Sequence, residues 1–72
     1  MSEYYRNNCS GELIEVNSPW INGQAKDWVV TNRLGEITYV DDPLYASTVD
    51  DMQRIEESVY KKQRLKKVLK NV

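Results

Sequence analysis

The sequence predicts an α+β fold, a three-stranded antiparallel β-meander followed by one long C-terminal α-helix, and three observations carry that expectation. Short runs rich in β-branched and aromatic residues recur at 13–16, 28–31 and 36–40, each bounded by turn chemistry. No glycine or proline interrupts residues 44–72. Along that stretch acidic residues precede basic ones, the order favoured by the helix dipole.

Residues 1–11 carry Asn7-Asn8, Ser10 and Gly11 without apolar periodicity, and read as a flexible N-terminal tail from which Tyr4 and Tyr5 could dock back. Residues 12–72 read as one small α+β domain. Its first strand, about 12–17, is built on Leu13-Ile14-Glu15-Val16, and Asn17-Ser18-Pro19 is turn chemistry or an edge-strand bulge. Asn22-Gly23 suits a type I′ hairpin turn. With that turn, Ile21 faces Gln24 and Val16 faces Val29; without it, residues 17–26 form a longer loop.

Trp28-Val29-Val30-Thr31 anchors the second strand, about 27–32. Asn32-Arg33-Leu34-Gly35 is a hairpin loop closed by a left-handed glycine, returning the chain as a third strand at 36–40. Alternation puts Ile37 and Tyr39 on one face of it, Thr38 and Val40 on the other. Asp41-Asp42-Pro43 stops the sheet. A helix is expected over about 47–71, capped by Ser47 or Thr48 with Asp50 or Asp51 three residues on.

Placed at roughly 100° per residue, Met52, Ile55 and Val59 form one apolar stripe, while Leu65, Val68, Leu69 and Val72 form a second on nearly the opposite side. One straight helix cannot press both onto one small sheet. Either it bends or ends near residues 60–64, or its last part contacts something else. The first stripe is expected on Trp28, Val30, Ile37 and Tyr39, or on the opposite sheet face.

Composition excludes several classes of function. The 72 residues contain one cysteine and no histidine, so neither an internal disulfide nor a Cys/His zinc site can form within one chain. No Asp-x-Asp-x-Asp-Gly loop appears, and no apolar run approaches the roughly 18 residues of a membrane span. Met1 to Arg6 lack the basic start and apolar core of a signal peptide, so a cytoplasmic setting is expected and the Asn8-Cys9-Ser10 triplet reads as chance. Without a histidine, and with one helix on a small sheet offering little cleft, neither enzymatic activity nor a cofactor is expected. Cys9, in a polar segment, reads as a bystander thiol.

The charge distribution is lopsided. Residues 1–57 hold all 11 acidic residues against four bases, a net −7, whereas residues 58–72 hold six bases and no acid. This makes the C-terminal segment a basic amphipathic helix with several readings. A protein partner, or a second copy of this chain, would meet Leu65, Val68, Leu69 and Val72. Nucleic acid, the alternative, would meet Lys61, Lys62, Arg64, Lys66, Lys67 and Lys70; one arginine among five lysines argues against base-specific reading. A membrane surface is the weakest option. The plain alternative is a solvated helix end that complements its own dipole. Trp20, Trp28, Tyr39, Tyr45 and Tyr60 could form a base-stacking platform, but a core is expected of them in so short a chain.

The general character fits a small non-catalytic, protein-binding module of the accessory, regulatory or inhibitor type that viruses and bacteria use against larger partners. That is analogy of size and composition, resting on no motif.

Overall fold

Alternation along Leu13-Ile14-Glu15-Val16 puts Ile14 and Val16 on one face and Leu13 on the other, and all three are buried. A strand apolar on both faces belongs inside a covered sheet, and this one is central in the computed structural model, which describes residues 2–69. In chain order the elements are β1 (Glu3–Arg6), β2 (Leu13–Val16), β3 (Gln24–Ala25), β4 (Trp28–Thr31), β5 (Ile37–Val40), β6 (Leu44–Tyr45), α1 (Ala46–Val49), β7 (Gln53–Ile55) and α2 (Glu57–Leu69). The main antiparallel sheet has the order β5-β4-β2-β1-β7, and β3 pairs separately with β6. The fold is α+β. The three expected strands are β2, β4 and β5, widened into five by β1 and β7.

The β4–β5 hairpin forms as its residues require. Gly35 N donates to Asn32 O at 3.0 Å with Gly35 at φ +85°, while Asn32 Oδ1 accepts from the N–H groups of Leu34 and Glu36. Asn22 and Gly23 take φ of +53° and +75°, the two positive values of a type I′ turn, and Ile21 bridges to Gln24. Beyond that turn the register differs by one from the expectation: Val16 faces Trp28, not Val29. Ser18 explains the slip. Its Oγ accepts from the N–H groups of both Lys26 and Asp27, each at 3.0 Å, and the chain bulges so that Gln24 and Ala25 pair with Tyr45 and Leu44.

The expected tail and the expected long helix are both corrected. Glu3–Arg6 form β1 between β2 and β7, and Asn7 to Gly11 make the turn into β2, with Gly11 N donating to Asn7 O at 2.8 Å. The stretch 47–71 is not one helix. α1 is a single turn with Tyr45 at its N-cap and no side-chain cap, so neither Ser47 nor Thr48 caps it. The chain then extends as β7 before α2 starts at Glu57. The reason is backbone satisfaction: Gln53–Ile55 supply the partner that the outer edge of β1 needs. The expected stripe is accordingly dispersed. Met52 packs into one core layer, Ile55 lies opposite Tyr4 in the sheet, and Val59 is exposed.

Both faces of the sheet are covered around β2, and β5 is left mostly exposed. On one, Ile14 and Val16 meet Ala25, Leu44 and Val49 from the overlying segment, with Trp20, Trp28 and Met52 around them. Glu3 clamps that layer: it accepts from Trp20 Nε1 at 2.6 Å and from Tyr5 Oη at 3.1 Å, and pairs with Arg54. On the other face Leu13, Val29 and Thr31 are buried, and α2 lays Tyr60 across β1, its ring centroid 4.6 Å from that of Tyr4.

Tyr60 is 1% exposed, so truncating it removes a large buried ring from a small core. Tyr60→Ala is expected to cost about 3–5 kcal/mol, seen as a collapse of the urea midpoint. Tyr60→Phe should stay within about 1 kcal/mol of wild type, because among the described residues the buried hydroxyl meets no hydrogen-bond partner.

Candidate functional site

The C-terminal helix is where charge and exposed apolar surface coincide, and its geometry follows from its contact with the sheet. Glu57 in the first turn and Lys66 and Lys67 in the last complement the dipole, and Glu57 pairs with Lys61 at 2.8 Å, one turn on. That bond holds the Lys61 ammonium above its ordinary range. The helix turns a polar-looking face to the sheet: Tyr60, Gln63, Arg64 and Lys67 are all buried or half-buried. Arg64 pairs with Glu15 of β2 at 3.6 Å. Lys67 extends over the β1–β2 turn, its Nζ 3.3 Å from where a Cβ on Gly11 would lie. Long cations here cover apolar sheet with their stems.

This arrangement splits the residues singled out in the sequence. Leu65 lies roughly 140° round the helix from Tyr60, and Leu65 and Leu69 are each 59% exposed. Val68 is half-buried on the flank. Val72 and Lys70 lie outside the described residues. Of the remaining bases, Lys61, Lys62 and Lys66 are exposed around the leucine pair, whereas Arg64 and Lys67 belong to the sheet contact. The helix thus presents two leucines one turn apart with lysines on their rim, not an unbroken cationic stripe.

The aromatics divide as well. Tyr60 is buried and both tryptophans are partly buried, as a core role requires, but Tyr39 and Tyr45 are 75% and 52% exposed. Tyr39 and Ile37 of β5 share the α2 side of the sheet yet lie beyond the helix, whereas Trp28 and Val30, expected on the same face as them, pair with Val40 and Thr38 and lie on the other.

The chemistry around Tyr60 is that of a packed interface. Burial pushes its phenol up to about 12, the Glu15 carboxylate acts in the same direction, and Arg64 opposes both. Glu3 goes the other way: the Trp20 hydrogen bond, helped by Tyr5 and Arg54 against partial burial, holds its carboxyl below the usual range. Such a carboxylate is fixed in its ionised form as an acceptor. Among the described residues no three Asp, Glu, Cys or His side chains gather to hold a metal ion, and no helix is long and apolar enough to cross a membrane. Cys9 is exposed in the β1–β2 turn.

Compared with known families, curated proteins and solved structures, the chain matches none.

Because the fold holds the Tyr60 phenol protonated beyond its ordinary value of 10, its contribution to stability is complete below pH 10 and is lost as the pH rises toward 12. Stepped urea titrations should therefore show wild type losing stability faster over that interval than Tyr60→Phe, whose side chain has no proton to lose.

Proposed function

We propose that this protein is a small non-catalytic module that binds a larger protein through the outward face of α2. The observation that carries the reading is the Leu65/Leu69 pair, one helical turn apart and exposed, on a helix already held to the sheet through Tyr60 and Arg64. Anchoring on one side and an apolar pair on the other is the pattern of a helix that enters a groove. Lys61, Lys62 and Lys66 around the pair fit a groove with an acidic rim. They disfavour a second copy meeting the same face, since lysines would then oppose lysines. Diversion of Arg64 and Lys67 into the sheet contact weakens the nucleic-acid reading, which counted on all six bases.

The test is parallel affinity capture from nuclease-treated and untreated extract, using wild type, a Leu65→Asp/Leu69→Asp double variant, and a variant with Lys61, Lys62 and Lys66 changed to Gln. A protein retained by wild type after nuclease and lost with the aspartates is expected; the lysine changes should weaken capture at low salt. Both exposed substitutions should leave stability within about 0.5 kcal/mol, so loss of capture would report the surface. Retention by the aspartate variant, or recovery that vanishes with nuclease, would refute the proposal.

A further inference from the structure

A second surface lies on the opposite side of the charge distribution. β5 ends the main sheet, and among the described residues no strand pairs with its outer edge. Asn32 N donates to Glu36 O at 3.0 Å, which makes those residues a hydrogen-bonded pair. Antiparallel alternation then turns the groups of Thr38 and Val40 toward β4, and the N–H and C=O groups of Ile37 and Tyr39 outward. The usual guards of a free edge are missing: Ile37–Val40 contains no lysine, proline or glycine and no positive-φ residue. Ile37 and Tyr39 are 38% and 75% exposed along it.

Acids stand at both ends of this edge. Glu36 precedes it, its carboxylate accepting from Asn32 Nδ2, and Asp41 and Asp42 follow, the Asp42 carbonyl accepting from Trp28 Nε1 at 2.7 Å. None of the three acids joins an ion pair among the described residues. Their placement opposes a second copy in the two antiparallel registers that pair most of β5. Two β5 edges paired with Tyr39 opposite Tyr39 set Glu36 directly across from Asp42 of the other chain. With Ile37 opposite Tyr39, the same two acids are diagonal neighbours, and either like-charge arrangement recurs at both ends.

We propose that the β5 edge is a docking site for an extended segment of a partner protein, alternating apolar residues between basic flanks, which adds as a sixth antiparallel strand. Main-chain bonds to Ile37 and Tyr39 hold it, their side chains meet its apolar residues, and Glu36, Asp41 and Asp42 select its charge. This surface is separate from the α2 face and does not rest on the function proposed above.

The test uses the full chain and two capped peptides of alternating valine and threonine, one with lysine pairs at its ends and one with glutamate pairs. In the free protein, the amides of Ile37 and Tyr39 should exchange fast, and those of Thr38 and Val40 slowly. The lysine peptide should slow Ile37 and Tyr39 by about tenfold or more, an effect that weakens with salt, and the glutamate peptide should not. Tyr39→Pro, which deletes an outward N–H and spares the bonds to β4, should abolish the response, whereas Tyr39→Thr should keep it. A Glu36→Lys/Asp42→Lys double variant, which leaves the strand itself untouched, should reverse the preference between peptides. Leu65→Asp should leave all of this unchanged. Absence of slowing at Ile37 and Tyr39, equal slowing by both peptides, or slowing that rises with protein concentration alone would overturn the proposal.

Discussion

Both edges of β1 are paired, and most of the architecture follows from how the chain supplies the two partners. One edge takes β2, reached through the Asn7–Gly11 turn; the other takes β7, some fifty residues later in the chain. Without β7 that side of β1 would be a free sheet edge beside α2, its backbone groups left to solvent. Supplying the second partner breaks the would-be long helix, because Gln53–Ile55 must be extended to pair. The break in turn decides where α2 starts, and thereby that Tyr60 arrives over Tyr4 and Arg64 over Glu15. Remove β1 and the helix loses its main seat on the sheet.

Two covered faces are unusual for so small a sheet, and they differ in chemistry. The layer of Ile14, Val16, Ala25, Leu44 and Val49 is a conventional apolar core. The α2 layer instead rests on one aromatic stack, one partly buried ion pair and the stems of long cations. A partly buried, loosely spaced pair such as Arg64–Glu15, at 3.6 Å, contributes on the order of 1 kcal/mol or less, so packing of Tyr60 dominates the attachment. Among the described residues, Thr31 Oγ1 and Tyr60 Oη have no hydrogen-bond partner in that layer. It is the looser of the two, held mainly through one residue.

Legibility in the sequence tracked how local the determining interactions are. The β4–β5 hairpin was readable because Asn32 and Gly35 act within five residues, and the Asn22-Gly23 turn for the same reason. The register slip at Val16 was not, since Ser18 takes its two donors eight and nine residues away. β1 escaped notice because Glu3-Tyr4-Tyr5-Arg6 has no apolar alternation; its tyrosines bury rings on opposite faces while Glu3 and Arg6 bond at the rim. The Asn7-to-Gly11 cluster that follows has the composition of a loose tail, yet it makes a turn through Asn7, which accepts from the N–H groups of Cys9, Ser10 and Gly11. β7 is a tertiary override, as nothing in Gln53-Arg54-Ile55 forbids helix. Of the site, the Leu65/Leu69 pair was legible from helical spacing. Which bases remained free was not, because that depended on a sheet face reached by Tyr60, a residue outside both apolar stripes.

Charge segregation looks different once the fold is in place. Read along the chain, it is an acidic body followed by a basic tail. In space, the two bases nearest the sheet, Arg64 and Lys67, are drawn against Glu15 and the β1–β2 turn, and the rest of the positive charge points outward. The negative charge likewise divides: Glu3 and Glu15 work inside the structure, while Glu36, Asp41 and Asp42 flank an edge strand that no other described strand pairs with. Evolution commonly guards such an edge with lysine or proline. Acids placed at its ends give weaker general protection, since they repel another copy of this chain but attract a basic strand. The protection is therefore selective, and selectivity at an open edge distinguishes a recognition surface from an aggregation hazard.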